Sequence, residues 1–337
     1  MLEIKNLSVS FHTYSGEVQA TRGVDLKLED GGVLAIVGES GCGKSVTAQS
    51  VLRLHDIEIT QFKSGEILLD DTDLLKLTEK EMQNVRGSRI GMIFQDPMTS
   101  LNPTMTVGKQ IIEVLLRHEE DEQGKRISGT AARKRAIELL RMVKLPNPER
   151  RVDQFPHEFS GGQRQRVMIA MAMACSPKIL IADEPTTALD VTVQAQILEL
   201  MKEMQKEKGT SIIIITHDLG VVANIAKDVA VMYGGMVVEA GSVEDIFYRA
   251  AHPYTWGLLS SASRMNLDKD QPLRSIEGTP PDLVNPPTGC PFADRCEYAM
   301  QICKDHLPGE YELSEKHRCR CWLRDEDCPV KPVRRRG

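Results

Sequence analysis

The chain has 337 residues, of which 41% are hydrophobic and 27% charged, with a net charge of -6 at pH 7. These are globular values at a length that suits about two domains, and the acidic balance gives no electrostatic reason to expect a nucleic-acid partner. No apolar run approaches the ~20 residues that span a bilayer, and the opening MLEIKNLSV lacks the charged start and apolar middle of a secretory signal, so the chain is expected in the cytosol, reaching a membrane only through a partner protein.

Residues 1 to 37 alternate in a β-like way, with Gly31-Gly32 as the turn into an apolar strand, Val33 to Val37. Tyr14 lies in a polar turn between the first two runs and offers a flat π-face for a nucleotide base. The strand feeds Gly38-Glu39-Ser40-Gly41-Cys42-Gly43-Lys44-Ser45, and a helical pattern begins at once. Strand, glycine-rich loop and helix in that order make a P-loop. Backbone N–H groups at the positive end of a helix replace water around a triphosphate, Lys44 supplies a cation for the β- and γ-phosphates, and the Ser45 hydroxyl is placed to coordinate the accompanying Mg²⁺.

Gly65 to Asp70 and Ile90 to Phe94 read as further strands, the second ending at Gln95, which can reach a metal and its water. From Val107 to Ala174 apolar residues recur at three- and four-residue spacing, a helical insertion interrupted by the charged stretch Arg117 to Arg126. It closes on Phe159-Ser160-Gly161-Gly162-Gln163 and a helix expected over Val167 to Ala174, so a second helix start is suited to an anion. Lys178 to Glu184 is a buried strand ending in two carboxylates. Asp183 suits Mg²⁺ coordination through water, and Glu184 can polarise an attacking water. Thr187-Ala188-Leu189-Asp190 opens the helix Val191 to Lys206, and the strand SIIIIT delivers His217. Gln95, Glu184 and His217 all leave strand ends, where open parallel sheets hold their ligands.

Together these segments resemble, in order and rough spacing, the nucleotide-binding subunits of ABC transporters over residues 1 to about 245, Phe159 standing where the family signature LSGGQ has leucine. The resemblance implies an α/β P-loop NTPase fold: a parallel-sheet core, an antiparallel β subdomain and a helical subdomain at about 98–175. It implies a head-to-tail dimer, with a copy of itself or a homologous chain, that sandwiches two ATP molecules. In it the loop from Gly38 through Val46, with Lys44, grips the phosphates, while Ser160, Gly161, Gly162 and Gln163 close over the ATP of the other chain. Ser45, Gln95 and Asp183 serve Mg²⁺, Glu184 orients or deprotonates water, His217 contacts the γ-phosphate and Tyr14 stacks on adenine. Cys42 departs from the commoner serine or glycine and is read as a small filler.

Beyond Gly241, Ala251 to Leu259 and the Pro-rich Glu277 to Pro287 resemble the C-terminal extension of dipeptide and oligopeptide importer ATPases, shared in part with nickel and glutathione importers. Its partners would be transmembrane permease subunits at the cytoplasmic face of the cell membrane and, indirectly, a substrate-binding protein. Six of the eight cysteines fall between Cys290 and Cys328. In a reducing cytosol a metal site is favoured over disulfides, zinc or an iron–sulfur cluster, with Cys290, Cys296, Cys303 and either Cys319 or Cys321 as ligands. The resemblance favours a four-iron, four-sulfur cluster and Cys321, so residues 246–337 are expected as a small metal-bound extension. The basic close Val333 to Gly337 reads as a solvated end.

Overall fold

The computed structural model describes residues 1–120, 124–187, 189–263 and 276–330. Ala188, residues 121–123 of the charged stretch and the basic close at 333–337 lie outside them. In chain order the strands are β1 (Leu2–Thr13), β2 (Gly16–Leu28), β3 (Val33–Val37), β4 (Thr60–Leu69), β5 (Thr72–Asp73), β6 (Ile90–Ile93), β7 (Ile179–Asp183), β8 (Ser211–Ile215), β9 (Asp228–Tyr233), β10 (Met236–Ser242), β11 (Tyr311–Glu312) and β12 (Arg318–Cys319). The chain forms two compact units. One combines Met1–Lys27 and Val33–Leu75 with the described residues from Thr216 onward; the other combines Leu28–Gly32 with Lys76–Ile215.

In the first unit β2, β1, β4 and β5 lie side by side in that order. β1 pairs antiparallel with β4, setting Leu2 opposite Leu69 and Ile4 opposite Ile67, all four at most 2% exposed. Strict alternation would turn the next apolar residues outward. The register instead shifts between Lys5 and Ser8, where Asn6 takes a left-handed φ of 47°, so Leu7 and Val9 return to the buried face. A second run of strands follows the order β11, β12, β10, β9, β3. β3 and β9 are parallel, and every residue of β3 is buried, as expected of a strand covered on both faces.

The C-terminal extension belongs to this same unit. β12 adds antiparallel to β10, Gln19 donates its N–H to Leu283 O at 2.8 Å, and Arg22 Nη2 donates to Pro287 O at 3.2 Å. Glu239 on β10 is the hub: its fully buried carboxylate accepts the N–H groups of Ala251 (2.6 Å) and His252 (2.9 Å) and lies 2.8 Å from His317 Nε2. A segment poor in apolar runs is thus held by strand pairing and a buried polar network centred on Glu239. Tyr233, Tyr254 and Phe292 pack as an aromatic cluster with centroids 4.6 to 5.4 Å apart.

In the second unit β6, β7 and β8 run parallel, with Ile181 opposite Ile213 and Asp183 opposite Ile215. Helices stand at Val107–His118 and Gly129–Met142, where the spacing predicts them, and with Gly161–Ala172 they pack through Ile111, Leu115, Ala136, Leu139, Leu140 and Val167, none more than 1% exposed. The helix Val191–Lys208 starts at Asp190, whose side chain accepts the N–H of Val193, and ends at Gly209 in the left-handed conformation. Among the described residues no helix is long and apolar enough to cross a membrane.

Candidate functional site

The P-loop lies between β3 and the helix Lys44–Val51. Gly38 (φ 152°) and Gly43 (φ 100°) have conformations and surroundings that exclude a side chain: a Cβ would stand 2.2 Å from Met232 O at the first and 2.5 Å from Ala20 O at the second. Lys44, only 6% exposed, donates from Nζ to the carbonyl oxygens of Gly38 and Glu39, each at 2.8 Å. The loop therefore curls round its own ammonium group. Ser40 and Gly41 are exposed at the tip, while Ser45 and Val46 are half-buried in the first turn of the helix. Cys42 is 4% exposed with Sγ 3.8 Å from Lys44 Nζ, and burial pushes its thiol up despite that cation, so it is a protonated filler.

His217 is exposed just beyond Thr216, whose N–H donates to Ile36 O at 3.2 Å, which holds the histidine's segment level with the end of the P-loop strand. Asp218 next to it caps the helix Leu219–Ile225 through the N–H groups of Gly220 and Val221. Tyr14 is fully exposed in the turn between β1 and β2.

In the second unit Asp183 ends β7 with 2% exposure. Glu184 follows at a left-handed φ of 47°, an uncommon conformation for a residue with a side chain, held by its N–H to Ile215 O at 2.9 Å. Its Oε2 accepts Gln95 Nε2 at 3.1 Å and the Thr187 hydroxyl at 2.9 Å. Gln95 and Glu184, expected at two strand ends, are in contact.

Ser160 caps the helix Gly161–Ala172 in a reciprocal box: its hydroxyl accepts Gln163 N–H, and Gln163 Oε1 accepts Ser160 N–H at 3.2 Å. The helix starts six residues before the expected Val167, because this cap makes the two glycines its first turn. A side chain at Gly161 would meet open space, whereas one at Gly162 would stand 2.8 Å from Val193 Cγ1. Phe159 is buried under the Arg151 guanidinium, 5.1 Å from its ring centroid, so the apolar position of the signature anchors the cap.

Cys290, Cys296, Cys303 and Cys321 line one small cavity together with His252, Phe292 and Tyr298; Cys319 does not. His252 is 1% exposed, its Nδ1 accepts the Tyr254 N–H at 3.0 Å, and its Nε2 is buried without a protein partner. Burial pushes the thiols of Cys290 and Cys321 up to about 12 and that of Cys296 up to about 11. Among the described residues no group of three or more His, Cys, Asp or Glu side chains stands where it could hold a metal ion. The expected metal-bound extension thus stands here as four thiols and an imidazole around one cavity.

Sequence reasoning assigned no role to Glu239, His252, Tyr254 or Arg295. Arg295, two-pronged on the Glu39 carboxylate at 2.6 and 3.0 Å, and Tyr254, whose hydroxyl accepts the Glu39 N–H at 2.8 Å, bring the extension onto the P-loop. The only signal for this in the sequence is the AHPYTW stretch itself, and it does not say what Tyr254 touches.

The ABC transporter family matches residues 21–187, and the oligopeptide/dipeptide transporter C-terminal region matches residues 238–303. The chain is 61% identical to the oligopeptide transport ATP-binding protein OppD of Bacillus subtilis, over 98% of this chain and 91% of that one. It is 55% identical to the dipeptide transport ATP-binding protein DppD of the same organism, over 97% of this chain and 95% of that one. Among solved structures it is similar to MJ0796, a bacterial ABC transporter cassette described as dimeric, at a TM-score of 0.64 and 30% identity over 72% of this chain and 99% of that one. On these matches the chain belongs to the oligopeptide and dipeptide transport ATP-binding subunits of ABC transporters.

Proposed function

We propose that this chain hydrolyses ATP to energise the import of dipeptides or oligopeptides through membrane-spanning permease subunits, docked at the cytoplasmic face of the cell membrane and fed indirectly by a substrate-binding protein. The observation that carries the reading is the P-loop wrapped around Lys44, followed in the same chain by the Ser160-capped helix start. Each is an anion-binding terminus, and a head-to-tail pair of ATPase subunits, two copies or this chain with a related one, uses one from each partner on every ATP.

In that reading Lys44 leaves the carbonyl oxygens of Gly38 and Glu39 for the β- and γ-phosphates, and the loop amides from Gly38 through Val46 take the remaining oxygens. Ser45, Gln95 and Asp183 would hold Mg²⁺, which supplies charge neutralisation between the phosphates. Glu184 aligns and deprotonates the attacking water, with Gln95 and Thr187 fixing its carboxylate. His217 contacts the γ-phosphate, and Tyr14 stacks on adenine. Phosphoryl transfer is catalysed mostly by positioning and charge, so a site completed by the second chain's Ser160, Gly161, Gly162 and Gln163 makes turnover conditional on closure. That condition couples hydrolysis to a partner in the membrane.

The same proposal assigns a four-iron, four-sulfur cluster to Cys290, Cys296, Cys303 and Cys321. What supports this is that four thiols and an unpartnered imidazole nitrogen line one small cavity, although among the described residues no three such side chains stand where they could share one metal ion. A single zinc ion needs its sulfurs to converge at about 2.3 Å from one point, whereas in a cluster each thiolate takes a different iron. When bound, the cluster would supply the cross-links that a short extension cannot get from an apolar core.

The test is reconstitution. Purified with the membrane subunits that accompany it and placed in vesicles, the chain should drive peptide accumulation that requires ATP and is lost in Lys44→Ala. Uptake that ignores ATP, or an ATPase with no membrane partner, would overturn the proposal.

A further inference from the structure

Glu39, second residue of the P-loop, is gripped at three points. Its carboxylate pairs with both Nη atoms of Arg295 (2.6 and 3.0 Å), its N–H donates to the Tyr254 hydroxyl (2.8 Å), and its carbonyl oxygen accepts Lys44 Nζ (2.8 Å). Arg295 is itself immobilised: Nε donates to Glu277 O (2.9 Å), Nη2 to Ile276 O (3.0 Å) and Nη1 to the Tyr233 hydroxyl (3.0 Å), and its side chain is 6% exposed. Tyr254 is wholly buried against Tyr233 and Phe292.

Two physical consequences follow. A carboxylate in the loop that receives a triphosphate repels it unless the charge is balanced, and Arg295 balances it from a fixed position. The loop backbone that presents carbonyl oxygens to Lys44 is also pinned at the neighbouring N–H, so the ammonium starts from one place rather than many. A pre-set loop spends less of its binding energy on ordering.

We propose that Arg295 and Tyr254 are positioning residues of the nucleotide loop, acting through Glu39, so that the C-terminal extension sets ATP affinity. This rests on the P-loop reading of residues 38–45. Arg295 directly precedes Cys296, and Tyr254 follows His252 by two residues, so both struts are rooted in the wall of the cysteine cavity.

The experiment measures ATP affinity by calorimetry, and KM and kcat for ATP, on the full chain purified without oxygen. Arg295→Gln leaves the Glu39 charge unbalanced and should raise KM roughly tenfold with kcat little changed, the scale of a charge-assisted pair. Adding Glu39→Gln removes that charge, and the double variant should return to within about threefold of the parent, a rescue that a merely structural role for Arg295 would not give. Tyr254→Phe keeps the ring and loses only the acceptor, with roughly a fivefold rise in KM expected. A double variant no better than Arg295→Gln alone, or values for Arg295→Gln and Tyr254→Phe within twofold of the parent, overturns the proposal. If Arg295→Gln does not fold, Tyr254→Phe decides by the same twofold limit. Lys44→Ala separates the two readings: if it spares ATP affinity the P-loop assignment fails and this proposal with it, and if it abolishes affinity while the struts prove silent, only this proposal fails.

Discussion

Gln95 Nε2 donates to Glu184 Oε2 at 3.1 Å, joining a residue that leaves β6 to one that leaves β7. The contact holds the proposed water-handling carboxylate by one oxygen, with the Thr187 hydroxyl on the same atom. Glu184→Gln keeps the size and most of the hydrogen bonding while removing the base. Turnover should fall by about 10²- to 10⁴-fold, the usual worth of a general base, with ATP binding kept and an ATP-held dimer accumulating. Size-exclusion chromatography with ATP and a single-turnover assay check both halves. Undiminished hydrolysis removes Glu184 from the mechanism.

The P-loop glycines are not equivalent. Gly43→Ala sets a Cβ 2.5 Å from Ala20 O at a φ of 100°, so strand β2 must give way, whereas at Gly41, φ 76°, the space is open. The first should cost about 1–3 kcal/mol of stability and abolish ATP binding. The second should cost about 1 kcal/mol and leave binding measurable. Thermal denaturation paired with fluorescent-nucleotide titration distinguishes them, and equal effects would mean that the loop is not held by its contact with β2.

What the sequence discloses here follows from range. The P-loop is local: an apolar strand, a glycine pattern and a helix start follow one another directly in the sequence, and β3 is buried as its apolar run predicts. Periodicity likewise discloses the helical insertion, although not that the Ser160 box moves the start of its last helix forward to Gly161. The Glu39–Arg295 pair spans 256 positions, and nothing near either residue signals it. The same holds for Glu239, which reads as an ordinary polar position in a β-strand and is instead a fully buried acceptor for Ala251, His252 and His317. Long-range polar pairing leaves no periodic trace, so the way the extension folds back on the nucleotide loop is visible only in three dimensions.

The signature helix offers a graded test. Ser160→Ala removes the hydroxyl that accepts the Gln163 N–H and should cost about 1 kcal/mol, a modest drop in melting temperature. Ser160→Arg additionally projects a long cation from an exposed position where the second chain's ATP is proposed to sit. It should block turnover while leaving the chain's own ATP affinity unchanged, since the P-loop is untouched. Normal turnover in Ser160→Arg would count against the shared ATP sites.

Cysteine chemistry gives the last prediction. Burial pushes the thiols of Cys290, Cys296 and Cys321 to about 12, 11 and 12, so at neutral pH they stay protonated until a cation replaces the proton. Reconstitution of the metal-free chain with iron and inorganic sulfide should therefore release the thiol protons and proceed more readily as pH rises. Cys290→Ser, Cys296→Ser, Cys303→Ser and Cys321→Ser should each lower the iron content and bleach the brown colour of anaerobically purified protein. Cys328→Ser should not, because Cys328 packs beside Met300 and against the cluster of Ala251, Cys319, Cys321 and Leu323 without itself lining the cavity. Cys319→Ser separates stability from ligation: Cys319 is 1% exposed beside Ala251 and Leu323, so a hydroxyl there should lower the melting temperature without removing iron. Stoichiometric zinc with no iron in the parent protein would replace the cluster by a mononuclear site, and iron lost on Cys319→Ser but kept on Cys321→Ser would move the fourth ligand.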